Sequence, residues 1–357
     1  MHNVKVLKYV LDNGLVVLIR PTHHIPRVST QLWYNVGSKD EKAGEKGLAH
    51  LIEHMIFKGT KKLTESDINM ITHKLSGSAN AFTSYDYTGY LFDFPSHHWQ
   101  EALPIMADCM RNCTFRQELL NSELKAVIQE LKMYKDDYAS SLVEEMMAAL
   151  FSGHPYHYPV IGYKHDLWSL KRDSLVSFYK RHYVPNNATL VIVGDVDPDK
   201  TLAEAKKHFE DIKPESQYAK EKFYWRRDLS SKTTVLYRDV KAPFALFAFS
   251  VPGARSKSDF SLDALALTLG SGRSSRLYKK LVDQHHLATD VDIFSYDLFD
   301  HGLFFIYVQP TPRDAIFDKI SNMITEEIVN LRQNGFAPGE LQSAAKRVKA
   351  EQLSVLE

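Results

Sequence analysis

The sequence of 357 residues predicts an α+β protein built from two tandem copies of one unit, each a mixed, mostly antiparallel sheet with helices packed on it. Two observations predict this class. Short runs rich in β-branched and aromatic residues alternate with amphipathic segments of helical period, and one order of elements occurs twice along the chain. A chain of this length fits two domains, and an apolar fraction of 44% suffices for a core in each.

The first half begins with a predicted strand pair. Apolar runs at 4–10 and 15–20 flank Asn13-Gly14, and Asn-Gly between two such runs is a strong hairpin signal. The same kinds of pattern predict the other elements of this half, with strands at 28–36, 79–94 and 190–193 and helices at 48–57, 100–111 and 117–134.

The second half repeats this order of elements. The helix sequence ELLNSELKAVIQEL, which starts at Glu118, has a counterpart ELQSAAKRVKAEQL that starts at Glu340, an offset of 222 (340 − 118). Likewise, the strand sequences QLWYNVGS and TGYLFDFPS correspond to LFAFSVPG and HGLFFIYVQP. The same order of segment types at a period of about 220 residues indicates that the chain contains a duplicated unit.

The repeat also predicts the domain boundaries. We expect a first domain over 1–212, a polar linker over 213–222 and a second homologous domain over 223–357. A full second copy would extend to about position 434 (212 + 222), so the second domain is expected to be incomplete at its C-terminal end. Either the sequence is a fragment or the last strands are missing from the protein.

Composition argues against several classes of partner. Lys plus Arg and Asp plus Glu number 44 each, so no net charge favours nucleic acid. No apolar run approaches the roughly 18 residues of a membrane span.

Cys109 and Cys113 are too few for a disulfide framework and are expected to be free thiols. The polar N-terminus lacks a signal-peptide pattern, so the chain is expected to be cytoplasmic as it stands, or periplasmic if a leader has been removed.

The chemistry is expected in the segment GLAHLIEHMIFKGT at 47–60. His50 and His54 are four residues apart, so a helix places both imidazoles on one face within reach of one metal ion. Glu53 lies beside them and can act as a base without being a ligand, which is what metal-assisted hydrolysis needs. The alternative is a pair of solvated surface histidines, and the surrounding apolar residues argue against it because they would embed the helix in a core.

Two histidines make an incomplete zinc site, because catalytic zinc usually has three protein ligands. Glu123 and Glu130 are two helical turns apart and share one face of a mostly apolar helix with Val127. Each glutamate could instead lie on a solvated helix edge and pair with a neighbouring lysine. Spacing alone leaves these two interpretations open.

The pattern H-x-x-E-H identifies a resemblance to the pitrilysin/insulinase, or inverzincin, family of zinc metallopeptidases. Within that family the chain resembles the short-chain branch that contains mitochondrial processing peptidase and its bacterial relatives. The similarity covers most of 5–355, and besides the histidine motif it is carried by DNGLVV, ANAFTSYDYTGY, HPYHYPVIG and FYKRHYVPNNATLVIVGDVDP.

The resemblance implies a zinc endopeptidase that holds one zinc ion and hydrolyses unstructured peptides. It assigns Glu130 as the third zinc ligand, since the family's glutamate follows the second histidine by about 76 positions, and it assigns Glu123 as a supporting carboxylate. Glu53 would take a proton from the attacking water and return it to the leaving amine. The resemblance also implies that the peptide binds as an added strand along Asn80 and Ala81.

One departure from the family pattern concerns the second half. Active members often carry an Arg and a Tyr seven residues apart, and the corresponding positions here are Val282 and Thr289. Neither side chain can supply a cationic or phenolic donor to an oxyanion. We therefore expect a heterodimer with a second family subunit that carries the Arg and Tyr, with a homodimer as the other possibility. Alternative functions are a non-catalytic structural subunit and a peptide-binding module whose zinc is only structural.

Overall fold

The computed structural model describes residues 5–215, 224–226, 230–254, 256, 259–312 and 316–356. Contacts divide the chain into two compact units, one of Met1–Tyr134 with Gly153–Arg226, the other of Lys135–Ser152 with Arg227–Glu357. The segment 135–152 thus groups with the second unit although it lies early in the sequence. The domain bounds 1–212 and 223–357 remain predictions, and the predicted linker 213–222 lies outside the described residues from position 216 onward.

The first unit contains a six-stranded mixed sheet. Its strands are β1 (Leu7–Val10), β2 (Val16–Pro21), β3 (Arg27–Tyr34), β4 (Ser78–Thr83), β5 (Thr88–Pro95) and β6 (Ala188–Gly194). They lie in the order β1-β2-β6-β3-β5-β4, and every pair is antiparallel except β2 with β6. The predicted hairpin at Asn13-Gly14 is confirmed, with Val10 opposite Val16.

Eight α-helices are found along the described part of 5–215. They are α1 (Leu48–Ile56), α2 (Glu65–Lys74), α3 (Ala102–Asn112), α4 (Gln117–Asp136), α5 (Tyr138–Leu150), α6 (Lys164–Ser169), α7 (Arg172–His182) and α8 (Pro198–Phe209). All but α5 belong to the first unit, and their apolar sides share one core with the alternate residues Val28, Leu32 and Tyr34 of β3. Burial repeats every 2 residues along the strands and every 3.6 residues along the helices, so the apolar side chains of both lie in one shared core layer.

The second unit contains a three-stranded antiparallel sheet of β7 (Ala245–Pro252), β8 (Ala288–Tyr296) and β9 (His301–Pro310), in the order β7-β9-β8. Besides α5, its helices are α9 (Asp259–Leu269), α10 (Arg276–Tyr278), which continues as a π-helical turn over Lys279–Gln284, α11 (Ile316–Asn334) and α12 (Pro338–Leu356). Helix α5 packs beside β7, and α12 packs beside α9.

The predicted α+β class and duplicated unit are confirmed. Strands β7, β9 and β8 repeat the order and antiparallel pairing of β3, β5 and β4, and the long helices α4 and α12 are the matching helical segments. Cys109 and Cys113 are free thiols, as predicted. None of the described helices is long and apolar enough to cross a membrane.

Candidate metal centre

Helix α1 presents His50, Glu53 and His54 on its partly exposed face. The helix starts directly after Gly47, whose φ of 93° lies in the left-handed region that favours glycine. Its other face is buried in the core of the first unit and consists of Leu48, Ala49, Leu51, Ile52, Met55 and Ile56. This amphipathic pattern fixes which way the two imidazoles point.

Helix α4 brings Glu130 to the two histidines. His50 Nε2 lies 3.8 Å from Glu130 Oε1, and His54 Nε2 lies 3.6 Å from Glu130 Oε2. The two imidazole rings are 4.7 Å apart between centroids. One ligand atom from each of the three residues lies within 4.8 Å of the other two. Spacing in the sequence could not choose a third partner for the histidines, and the fold places Glu130 there.

These distances fit a zinc ion better than hydrogen bonds. An N–H···O bond spans about 2.7–3.2 Å, shorter than either contact of Glu130. Two ligand atoms at about 2.0–2.1 Å from a tetrahedral centre lie roughly 3.3–3.4 Å apart, close to the 3.6 Å and 3.8 Å observed. Two imidazoles and one carboxylate are also the donor set of many catalytic zinc sites, with one coordination position left open.

Glu123 lies one layer behind the three candidate ligands. Its Oε2 is 3.3 Å from His54 Nδ1, the ring nitrogen that faces away from Glu130, and its Oε1 is 2.9 Å from the Lys58 ammonium. Lys58 also pairs with Glu65 of α2 at 2.7 Å. The carboxylate can therefore fix the orientation and tautomer of His54, and Lys58 holds that carboxylate in turn. Sequence reasoning missed Lys58, although it lies only four residues beyond His54.

Glu53 does not belong to the cluster of candidate ligands. Its Oε2 accepts a hydrogen bond of 2.7 Å from the Thr83 hydroxyl at the end of β4. Burial raises the pKa of the Glu53 carboxyl, and the Thr83 hydroxyl and His54 lower it in part. A carboxylate whose pKa lies above its ordinary value is better suited to take up a proton near neutral pH. Thr83 is a second residue that sequence reasoning missed.

His50 is held in its neutral form. Burial and the neighbouring His54 lower the pKa of His50 to about 4. A neutral imidazole has a free lone pair, which metal binding requires. The Nδ1 atom of His50 is buried and has no hydrogen-bond partner among the described residues, whereas Nε2 faces Glu130.

Strand β4 forms one edge of the six-stranded sheet, because it pairs with β5 on one side and ends the strand order. Asn80 is exposed on this edge and Ala81 is half-buried. The Asn80 side-chain oxygen accepts a hydrogen bond of 2.9 Å from the Ala81 N–H. Asn80 and Ala81 therefore lie on the same edge strand as Thr83, whose hydroxyl contacts Glu53.

Comparison with known families agrees with this geometry. The family described as "Insulinase (Peptidase family M16)" matches residues 16–164, and "Peptidase M16 inactive domain" matches residues 169–348. The chain belongs to the M16 insulinase family. Within this M16 chain, the candidate metal centre falls in the stretch that matches the first description, and the second description matches most of the second unit.

Curated relatives of this M16 chain are named as proteases. It is 29% identical to "Zinc protease PqqE" of Helicobacter pylori in an alignment of 354 positions that covers 97% of this chain and 79% of the relative. It is 30% identical to "Uncharacterized zinc protease ML0855" of Mycobacterium leprae in an alignment of 348 positions that covers 95% of this chain and 76% of that protein. Among solved structures, a protease from Helicobacter pylori superposes with a TM-score of 0.91 at 28% identity, covering 98% of this chain and 86% of that one.

The two positions at which the M16 pattern often has Arg and Tyr lie in the second unit. Val282 belongs to the π-helical turn and packs against the core of that unit. Thr289 is exposed on β8, and its hydroxyl donates to the Gln309 carbonyl at 3.2 Å. Neither side chain carries a cationic or phenolic group, so neither can replace the missing pair of donors.

Proposed function

We propose that this chain is a zinc-dependent endopeptidase subunit that hydrolyses unstructured peptides. The proposal depends on how four side chains are arranged in the first unit. Three candidate ligand atoms lie within 4.8 Å of one another, and a fourth side chain, the carboxylate of Glu53, is held outside this set by a hydrogen bond of 2.7 Å from Thr83. The names of the curated relatives as zinc proteases support the same conclusion.

We assign each side chain its role from these positions. His50, His54 and Glu130 would hold one zinc ion, which when bound acts as a Lewis acid toward water and the peptide carbonyl. Glu53 takes a proton from the attacking water and passes it to the leaving amine, so no covalent enzyme intermediate is required. Glu123 fixes the orientation of His54, because its Oε2 faces the outer ring nitrogen.

The substrate site proposed is the free edge of β4. A peptide in extended conformation can add to an exposed strand through main-chain hydrogen bonds, which favours chains without fixed structure. The Asn80 side-chain oxygen already accepts the Ala81 N–H, so the side-chain amide of Asn80 is the group left to donate to a peptide carbonyl. Thr83, at the end of the same strand, holds Glu53 beside the peptide.

Metal analysis combined with a cleavage assay tests this function. The full chain should contain one zinc ion, and a library of quenched fluorescent peptides should be cleaved with zinc and not after treatment with a chelator. Activity should return when zinc is added back to the chelated protein. A metal-free protein that still cleaves the library would contradict the proposal, as would a zinc-loaded protein that binds peptides and never cleaves them.

We also propose that the complete peptidase is a heterodimer. Val282 and Thr289 stand where the family pattern often has Arg and Tyr, and loss of one oxyanion donor typically lowers the rate about 10²–10³-fold. A second family subunit that lacks H-x-x-E-H and keeps the Arg and Tyr would supply both groups.

The partner proposal is tested by assaying this chain in its full natural length, alone and mixed with such a subunit. We expect zinc binding and weak cleavage alone, and a rate increase of about 10²-fold or more in the mixture. A partner variant without the Arg and Tyr is the matched control. Full activity of this chain as a pure homogeneous sample would reject the heterodimer.

A further inference from the structure

Glu41 is a buried acidic residue that belongs to neither the candidate ligands nor their supporting carboxylate. It lies in the loop before α1 and is 5% exposed. Its two side-chain oxygens each accept a backbone hydrogen bond, Oε2 from Gly47 N at 3.0 Å and Oε1 from Ala49 N at 2.7 Å. Both donors stand at the start of the helix that carries His50, Glu53 and His54.

Helix α1 needs this acceptor because it has no cap of its own. The first N–H groups of a helix have no partner within the helix and usually bond to a side chain at the N-cap position. The N-cap residue of α1 is Gly47, which has no side chain to offer. The carboxylate of Glu41 takes over this function from six residues upstream and places negative charge at the positive end of the helix dipole.

The surroundings keep the Glu41 carboxylate in place. Burial raises the pKa of this carboxyl to about 8, and its two N–H donors and the Lys46 ammonium lower it only in part. Lys46 is equally buried, donates to the main-chain oxygen of Glu41 at 2.6 Å and lies 4.3 Å above the Tyr158 ring. Both oxygens of Glu41 accept N–H groups, so the ionised form, whose oxygens are acceptors only, suits this hydrogen-bond geometry best.

Close backbone packing makes the start of α1 intolerant of displacement. A Cβ at Gly162 would lie 2.2 Å from the Lys46 carbonyl oxygen, and a Cβ at Gly47 would lie 2.5 Å from the Ile161 carbonyl oxygen. The chain around 46–47 therefore fits against 161–162 with no room for a side chain. Because the N-terminus of α1 packs closely there, its hydrogen bonds to Glu41 fix the direction of the helix axis and the rotation of the helix about that axis.

We infer that Glu41 is a positioning residue for the metal centre. It anchors the N-terminal end of α1, and thereby holds the imidazoles of His50 and His54 at the spacing that Glu130 completes. This inference rests on the proposed function, because it assumes that these three residues bind zinc. Glu41 touches neither the ion nor the substrate, so its effect is expected on zinc affinity as well as on turnover.

Substitution of Glu41 by Gln tests the inference with little change of shape. The amide presents one oxygen and one NH₂ to two N–H donors, so one hydrogen bond and the charge are lost. We expect zinc affinity, measured by competition with a chelator at about pH 8.5, where histidine is neutral, to fall about five- to tenfold. Glu41→Asp keeps the charge and should retain more affinity than Glu41→Gln. Circular dichroism of the zinc-free variants checks that the fold is intact.

Asp197→Asn is the matched control, since Asp197 caps α8 by accepting from Lys200 N at 2.9 Å and α8 carries no residue of the site. It should lower thermal stability and leave zinc affinity unchanged. Equal zinc affinity in folded Glu41→Gln and wild type would overturn the inference, as would an equal loss in Asp197→Asn. If Glu41→Gln fails to fold, Glu41→Asp takes its place in the same comparison. Wild-type protein that binds no zinc would refute the proposed function instead, so the two failures are distinguishable.

Discussion

The two units share a strand arrangement but differ in what they carry. In the first, β3 lies between β5 and β6 in a sheet of six strands, and in the second its counterpart β7 is the edge of a sheet of three described strands. Helix α1 of the first unit bears His50, Glu53 and His54. The helix that follows β7, α9, contains no histidine and no glutamate.

The supporting helices differ in the same way. At the repeat offset of 222, Glu123 corresponds to Ala345 (123 + 222) and Glu130 to Gln352 (130 + 222). The second copy thus keeps the strand order and has no counterpart of the five side chains that form or support the candidate metal centre, His50, Glu53, His54, Glu123 and Glu130. The two units therefore share a fold but not a site, because the candidate site is a small set of side chains that only the first unit carries.

The largest effect on hydrolysis is expected from Glu53→Gln. The amide cannot accept a proton from water, and loss of a general base typically lowers the rate about 10²–10⁴-fold. Zinc content should stay at one ion per chain, because Glu53 lies outside the candidate ligands. Glu118→Gln, at an exposed position of α4, is the control. Near-normal turnover of Glu53→Gln would show that another group acts as the base.

A smaller loss is expected from Thr83→Val. The valine keeps the shape of the side chain and removes the hydroxyl that donates to Glu53 at 2.7 Å. A hydrogen bond to a charged group contributes about 1.5–3 kcal/mol, so we expect kcat to fall about tenfold or more while KM and zinc content stay near wild type. Thr83→Ser should restore most of kcat. An equal loss in both variants would assign Thr83 a packing role only.

Lys58→Met should act more weakly and through the metal. Without the ammonium, Glu123 loses its partner at 2.9 Å and orients His54 less firmly. We expect zinc affinity to fall by about tenfold, the lower end of the range for groups that support metal ligands. Chelator competition measures this change directly. Glu65→Gln removes the other partner of Lys58 and should have a smaller effect, because it leaves the contact between Lys58 and Glu123 in place.

The smallest effect on hydrolysis is expected from a change in the second unit. Arg276 binds Glu340 through two bonds of 2.8 and 2.6 Å and also reaches Glu327 at 3.1 Å. Arg276→Met leaves the buried Glu327 with a weaker set of partners, so the free energy of unfolding should fall by about 2–3 kcal/mol. Zinc affinity should not change. If Arg276→Met lowered zinc affinity as well as stability, the candidate metal centre would depend on the second unit, which would contradict this comparison.

Much of the fold could be predicted because its signals are local. Asn13-Gly14 predicts the first hairpin through turn chemistry, and the spacing of His50 and His54 places both on one helix face. The duplication was visible because strand and helix types recur in the same order, even where few residues are identical.

The parts that could not be predicted depend on contacts between distant segments. Spacing left Glu123 and Glu130 open, since only the packing of α4 against α1 decides that Glu130 faces both histidines and Glu123 contacts His54 alone. The sequence gives no local sign that Thr83 reaches Glu53, or that Glu41 binds the start of α1. Segment 135–152 likewise joins the second unit through the packing of α5 beside β7, which no periodicity in its own sequence reveals.

A crystal structure of the zinc-loaded full chain, with anomalous scattering measured on both sides of the zinc absorption edge, tests whether His50, His54 and Glu130 bind the ion. We expect one anomalous peak in the first unit, at about 2.0–2.2 Å from His50 Nε2, His54 Nε2 and a Glu130 oxygen. Glu53 should remain hydrogen-bonded to Thr83 and make no bond to the ion. A peak in the second unit, or an ion in the first unit that Glu53 ligates in place of Glu130, would contradict it.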